Sequence, residues 1–292
     1  MGVTAILVNS NDRRHLGDCL SALRNELRGG DEIILVDNAS TDGSPEFVAA
    51  KFPEVRVIPN KHNAGFGAAN NQGVQAASSE AVMFLNTDTV VQPGSVRRLL
   101  ETLAGDPAVA AVGPALIRPD GSFQVSFGKT VSFLGQFIQK AVLNPYYKRV
   151  LPRRTGPRAA GWLSAACLLA RTDAVRRVGG YDERFFIYFE DIDLCRRLAR
   201  GGGRLIYEPR ARVLHQGGGS TSARARASRF EYRRSQLFFY DKHASRLSGA
   251  FLRIYLRAAV ALLAARGVFD DEEGRALRER YRSLFRKGNA AA

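Results

Sequence analysis

An apolar run that stops at a short polar cluster is the first place where chemistry could sit. Residues 82–91 read VMFLNTDTVV, so Asn86, Thr87, Asp88 and Thr89 close a segment whose composition predicts a buried strand, with Pro93 and Gly94 following. A carboxylate at the carboxyl end of a strand stands where open α/β sheets bind ligands, and a hard cation carrying a diphosphate suits such an acid. Asp in a strand-to-helix turn also serves as a cap for the next helix, and the residues alone leave both readings open. A second acid, Asp37, lies in VDNASTDGS, residues 36–44, either as turn chemistry or as acceptor for the N3 imide of a pyrimidine base. In NAGFGAANNQG, residues 63–73, Gly65 and Gly67 at a helix start would let backbone approach a ligand closely. The pattern is not GxGxxG, which argues against a dinucleotide cofactor.

Two further clusters lie downstream. In FFIYFEDIDLCRRL, residues 185–198, Glu190, Asp191 and Asp193 follow an aromatic run and open a helix. Acids in a first turn are favoured by the helix dipole, and Asp193 can pair with Arg196 or Arg197 on the next turn. That accounts for Asp193 better than for three acids behind an aromatic wall, where a carboxylate is well suited to receive a hydroxyl proton. In VLHQGGGST, residues 213–221, His215 precedes three glycines, a setting for phosphate oxygens and a metal, although a lone His is commonly structural.

The elements that must position these residues alternate. Strands are predicted at 3–8, 32–36, 55–58 and 81–85, with helices at 13–27, 45–51 and 68–77 between them. Such alternation implies a parallel, doubly wound sheet whose strand ends, Asn9 and Ser10, Asp37 and Asn38, Asn63 to Gly67, and Asn86 to Thr89, share one edge and build one pocket. Residues 109–158, punctuated by prolines and basic residues, read as a long connection. Order resumes with a buried strand over 162–170, a short capped helix over 172–178, the acidic helix, and a strand at 204–207.

With 292 residues and 45% hydrophobic content the chain can bury a large core, which excludes a disordered protein. Cys19, Cys167 and Cys195 are odd in number and widely spaced, against a disulfide framework or a zinc site. No leader is apparent and no uninterrupted apolar run approaches the ~20 residues of a span, so a cytoplasmic protein is expected. The net charge of +15 is concentrated late: from Arg200 onward there are 20 Lys and Arg against 8 Asp and Glu. A basic, partly apolar tail points to a polyanion, a nucleic acid or the anionic face of a membrane, or is merely a basic surface. Within it, residues 250–269 (AFLRIYLRAAVALLAARGVF) read as an interfacial amphipathic helix, or as one packed on the catalytic domain.

Taken in order, ILVNSN, EIILVDNASTDGS, NAGFGAANNQG, VMFLNTDTVV, the block from GWLSAACLLARTDAV to GGYDERFFIYFEDIDLCRRL, and HQGGGST followed by DKH resemble glycosyltransferase family 2, and most closely its rhamnosyltransferase-like branch. The resemblance covers about residues 3–243 and implies an inverting enzyme of GT-A fold. That fold is α/β, a Rossmann-like, mixed and mostly parallel sheet flanked by helices. Residues 1–220 would form the nucleotide-sugar-binding and catalytic domain, and 221–292 a basic helical extension.

The likeness further implies nucleotide-sugar contacts at Asn9, Ser10, Asp37 (to the base), Asn38, Asn63, Gly65, Gly67, Asn86, Thr87 and Asp88. It implies acceptor contacts at Trp162 and Glu190, Mg²⁺ or Mn²⁺ at Asp88 and His215, and Asp191 as catalytic base. Three departures stand out: Ser10 replaces a frequent Tyr and so removes a stacking surface for the base, Thr87 a frequent Pro, and Ala165 a usual Gly. The implied donor is a nucleoside diphosphate sugar, dTDP-rhamnose first and UDP-sugars next. The implied acceptor is a saccharide or lipid-linked saccharide, at the inner face of the cell membrane, in cell-surface polysaccharide synthesis, with no nucleic acid as partner. The alternatives from other classes are a nucleotidyltransferase and a nucleic-acid-binding protein acting through the basic tail.

Overall fold

A computed structural model describes residues 1–129, 156–217 and 222–285. The amino-terminal half alternates as expected: β1 (Val3–Asn9), α1 (Arg13–Glu26), β2 (Glu32–Asp37), α2 (Ser44–Lys51), β3 (Arg56–Pro59), α3 (Phe66–Ala76) and β4 (Ala81–Asn86). The four strands are parallel in the order β3-β2-β1-β4. Register brings their carboxyl ends level: Asn9 lies opposite Asp37, and Val8 opposite Asn86. Because helices cover both faces, these strands are almost continuously apolar. In α1 the buried residues Leu16, Cys19, Leu20 and Leu23 follow helical spacing and join the larger core cluster. Each such large aliphatic side chain contributes about 1.5–3 kcal/mol on full burial.

Beyond β4 the sheet turns mixed. A short strand β5 (Thr89–Val91) and helix α4 (Ser95–Ala104) follow the Asp88 turn, and β6 (Val109–Ile117) comes next. This nine-residue buried strand lies inside the segment expected to be a long connection. Pro114 disguised it: opposite Glu208, it sits beside a register shift in the neighbouring strand, where a missing N–H is tolerated. Short strands β7 (Phe123–Gln124), β8 (Phe127–Gly128), β9 (Arg158–Ala160) and β10 (Trp162–Leu163) lead to β11 (Cys167–Arg171). The strand expected over 162–170 is thus two strands, β10 paired with β8 and β11 running antiparallel between β4 and β6, broken at Ser164–Ala166. That break gives its backbone groups to the site.

Helix α5 (Thr172–Arg177) lacks the side-chain cap expected of Thr172, whose hydroxyl donates instead to the Ser79 carbonyl. Helix α6 (Glu190–Arg200) carries the acids, and β12 (Arg204–His215) runs well past the predicted strand to deliver His215 to the same edge. Among the described residues the main sheet has ten strands.

Three helices follow: α7 (Ser222–His243), α8 (Arg246–Ala265) and α9 (Glu272–Leu284). The boundary expected at 220/221 falls outside the described residues. Phe185 and Phe189 share a buried cluster with Phe230, Leu237, Phe238, Phe239 and Leu252, so the aromatic run ahead of α6 packs directly on α7. Helix α8 buries Gly249, Leu252 and Leu256 and leaves its opposite side open. By length and composition α8 could cross a membrane, unlike what the arginine-interrupted sequence suggests.

Candidate active site

The first three strand ends are tied together. Asn9 donates through Nδ2 to Asp37 Oδ1 at 2.8 Å and to Ser40 Oγ at 2.9 Å, while the Ser40 N–H reaches Asp37 Oδ2 at 2.9 Å. Asp37 is therefore buried with both oxygens engaged, and a base edge reaching it would add to these bonds or displace one. Asn38 donates to the Gly65 carbonyl at 3.3 Å and accepts from Asn60 at 2.8 Å; Asn63 donates to Ser10 Oγ at 3.3 Å and accepts from the Gly65 N–H at 2.9 Å. Gly65 has φ +88°, and a Cβ there would lie 2.9 Å from the Phe186 carbonyl oxygen; one at Gly67 would lie 3.2 Å from Tyr181 Cβ. The close approach predicted for a ligand is thus made at both glycines by the chain's own 181–186 segment.

The fourth strand end turns at Thr87 and Asp88. Asp88 does not cap α4: Glu26 does, accepting from the Gly94 N–H at 2.7 Å and the Val96 N–H at 3.1 Å. Freed from that task, Asp88 Oδ1 lies 3.2 Å from His215 Nε2, because β5 pairs with the end of β12, His215 opposite Thr89. Burial pushes the Asp88 carboxyl up, but the hydrogen bond and charge of His215, with the charge of His15, outweigh it and hold Asp88 below the usual carboxylate range. Gln124 Oε1 faces His215 Nδ1 at 3.0 Å and orients the ring. A neutral imidazole so oriented presents its Nε2 lone pair to a carboxylate, which a cation between them would satisfy; a protonated one makes an ion pair. The described residues contain no group of three or more metal-ligating side chains. A cation between Asp88 and His215 would have to draw its remaining ligands from phosphate and water. Beneath the turn, Thr87 donates to Asp12 Oδ2 at 2.8 Å and Asp12 Oδ1 meets His15 Nδ1 at 2.7 Å.

Asp191 comes to the same edge through two backbone links. The Asn86 N–H donates to the Ala166 carbonyl at 3.0 Å, and the adjacent Ala165 N–H donates to Asp191 Oδ2 at 3.2 Å; Oδ1 takes the Ile192 N–H at 2.8 Å. Tyr188 (φ 70°) and Phe189 (φ 68°), consecutive left-handed residues, deliver α6 to this position at roughly 1–3 kcal/mol of strain each. What holds them is α7: Ser235 Oγ donates to the Ile187 carbonyl at 2.7 Å, and Tyr232 and Phe239 pack on the two rings. Burial raises Asp191 above the ordinary range, with the Ala165 and Ile192 N–H groups pulling the other way. Glu190 is buried and pushed well up, by burial first and by the Asp191 charge second, and its Oε2 has no hydrogen-bond partner. Trp162 Nε1, on β10, is likewise unpartnered.

Asp193 faces away from this edge and anchors the helix. With 0% exposure it accepts from Lys242 Nζ and His243 Nε2, each at 2.6 Å from Oδ1, and from Arg197 Nε at 2.7 Å from Oδ2. Lys242 also reaches Asp182 at 2.7 Å. The pairing with Arg197 matches the expectation for the helix; the pairing with α7 does not follow from local sequence. Asp12, His15, Gln124 and Ser235 were also missed. Only Asp12 and His15 carry a local signal, i,i+3 spacing at a helix start; the others meet their partners 91 and 48 residues away in sequence.

The chain matches the model of glycosyl transferase family 2 over residues 4–179. It is 35% identical over 269 residues to the N-acetylglucosaminyl-diphospho-decaprenol L-rhamnosyltransferase of Mycobacterium tuberculosis, covering 85% of this chain and 87% of that one. It is 32% identical over 215 residues to the pre-mycofactocin glycosyltransferase of the same organism, covering 73% of this chain and 42% of that one. Among solved structures, the mannosyltransferase PcManGT from Pyrobaculum calidifontis with GDP-Man and Mn²⁺ superposes with a TM-score of 0.60 at 18% identity, over 99% of this chain and 85% of that one. GalNAc-T7 with UDP, GalNAc and Mn²⁺ superposes with a TM-score of 0.59 at 16% identity, over 82% of this chain and 50% of that one. The fold shared with these glycosyltransferases is the GT-A fold.

Proposed function

The chain belongs to glycosyltransferase family 2 and is a glycosyltransferase, and from that premise we propose that it transfers a sugar, with inversion, from a nucleoside diphosphate donor to a hydroxyl of a lipid-linked saccharide. dTDP-rhamnose is the proposed donor, supported by the likeness to a rhamnosyltransferase whose name carries a diphospho-decaprenol acceptor. Such an acceptor implies work at the inner face of the cell membrane, in cell-surface polysaccharide synthesis. The observation that carries the reading is the meeting, at one sheet edge, of the Asp88–His215 pair with Asp191 through Asn86–Ala166 and Ala165–Asp191.

In this reading Asn9, Asp37 and Asn38 meet the nucleoside, Ser10, Asn63, Gly65 and Gly67 border it, and Asn86, Thr87 and Asp88 face the diphosphate and sugar. Asp88 and His215 would hold Mg²⁺ or Mn²⁺, which would supply positive charge to neutralise the leaving diphosphate. Asp88, at the strand-end turn facing His215, supplies the carboxylate for that task. The acceptor oxygen attacks the anomeric carbon from the face opposite the diphosphate, the new C–O bond forms as the C–O bond to phosphate breaks, and the hydroxyl proton passes to Asp191. Burial makes Asp191 a stronger proton acceptor than an ordinary carboxylate, and two backbone N–H groups fix its oxygens. Glu190, holding its proton to higher pH, and the Trp162 N–H offer donors to acceptor hydroxyls. One carboxylate suffices at the attacking face, where glycosidases need two.

A panel of nucleotide sugars with Mn²⁺, scored by thermal shift and by release of nucleoside diphosphate, tests the donor. Asp191→Asn should bind donor normally and lose transfer by roughly 10²–10⁴-fold. Near-normal turnover in that variant would remove Asp191 from the role.

A further inference from the structure

Helix α8 has two apolar sides. Leu252 and Leu256 are buried against the rest of the helical extension, whereas Leu247, Phe251, Ile254, Tyr255 and Leu262 are between 51% and 73% exposed. At 100° per residue the spacing of Leu247, Phe251, Ile254 and Leu262 puts them on one stripe opposite the buried side, with Tyr255 at its border. Between the two sides lie Arg246, Arg253 and Arg257, of which Arg253 is paired with Asp241 of α7, and residues 246–265 contain no acidic residue. Soluble surfaces rarely leave so many large apolar side chains together without an occupant.

We propose that this stripe is a membrane-docking surface: α8 lies in the plane of an anionic bilayer, its outward stripe among the acyl chains and Arg246 and Arg257 at the lipid phosphates, while Arg253 stays with Asp241. The charge decides between occupants. A second copy docked stripe to stripe would bring two like-charged sets of arginines together, whereas anionic head groups complement them. The buried side decides between lying and crossing, because a span would tear Leu252 and Leu256 from α7 and break the Arg253–Asp241 pair at 2.6 Å. The proposal rests on the lipid-linked acceptor argued above and adds the surface that brings the enzyme to it.

The test is co-sedimentation of the full chain with phosphatidylcholine vesicles with and without phosphatidylglycerol. Wild type should pellet with the anionic vesicles, be released by alkaline carbonate, and bind less at high salt. The double variant Phe251→Glu/Ile254→Glu should partition at least about tenfold less, with unchanged melting temperature and unchanged transfer to a water-soluble acceptor analogue. Binding that survives in the variant, carbonate-resistant binding, or a wild-type dimer that the variant dissolves without vesicle binding would each overturn the proposal. Because transfer to the soluble analogue is read in parallel, wild type that transfers but does not pellet with anionic vesicles sinks this surface alone. Intact docking with no transfer from any nucleotide sugar sinks the proposed reaction instead.

Discussion

Replacing Asp193 by Asn tests whether the carboxy-terminal helices are part of the catalytic apparatus. Asp193 touches no solvent and accepts from Arg197 and from Lys242 and His243 of α7. Removing one member of a buried charge cluster typically destabilises by 3–5 kcal/mol. Lys242 keeps Asp182 at 2.7 Å and is 22% exposed, and Arg197 keeps the Val178 carbonyl at 2.8 Å, so the lower figure, about 3 kcal/mol, applies. For a chain of this size that lowers Tm by roughly 5 °C. The sign of the pH dependence follows from Asp193: burial raises its pKa, but His243, Lys242 and Arg197 overcome that and hold it below the ordinary range. Its stabilisation is therefore present above the unfolded value, about 3.9, and is lost as pH falls through the folded one, so the Tm difference between wild type and variant should narrow below about pH 4. In kinetics, a looser α6 displaces Asp191, and a shift of about 1 Å costs on the order of 10²-fold in turnover. Donor affinity, measured by calorimetry, should stay within about twofold of wild type, because Asp88 and His215 lie on other elements. Unchanged Tm and turnover would refute the anchoring role; equal loss of donor binding and turnover would indicate general unfolding instead of a displaced base.

Asp88→Ala should lose metal-dependent donor binding, so that titration with and without EDTA gives the same weak affinity; undiminished, EDTA-sensitive binding would contradict a cation at Asp88 and His215. Glu190, raised by burial and by Asp191, contributes nothing against folding below the ordinary glutamate range and destabilises progressively as pH rises through its folded pKa. Glu190→Gln should accordingly reduce the fall in Tm between about pH 5 and pH 8, read by calorimetry. Gly65→Ala combines φ +88° with a 2.9 Å clash against Phe186 O, whereas Gly94→Ala meets φ +77° in open space. Both should destabilise, Gly65→Ala by more, with roughly 1–3 kcal/mol for the backbone alone in urea melts.

The half of the fold built from parallel strands was legible because two-sided burial writes an unmistakable apolar run, and polar residues cluster where such runs end. β6 was not: Ala110, Ala111, Gly113 and Pro114 carry little β signal, and the pairing with β12 that makes it a strand is invisible locally. At the site, Asp88, His215 and Asp191 stood out as polar residues at abrupt chemical boundaries. The sequence could not say that Glu26 relieves Asp88 of capping, nor that Gln124 orients His215, because both depend on contacts 68 to 91 residues apart. The basic tail was legible as charge and, over residues 250–269, as an amphipathic helix. Part of it is consumed internally, as in Arg226–Asp271, Arg253–Asp241 and Arg280–Glu231.

The clamp that α7 places on the left-handed pair Tyr188 and Phe189 bears on the order of synthesis. A nascent chain emerging from the ribosome has every strand of the donor pocket once residue 215 is out, yet Ser235, Lys242 and His243 follow some twenty residues later. Until then the turn that delivers Asp191 lacks the α7 contacts that hold its strain. The strands that carry Asp88 and His215 are thus complete before the support for the turn ahead of Asp191 is, so the last helices finish the site.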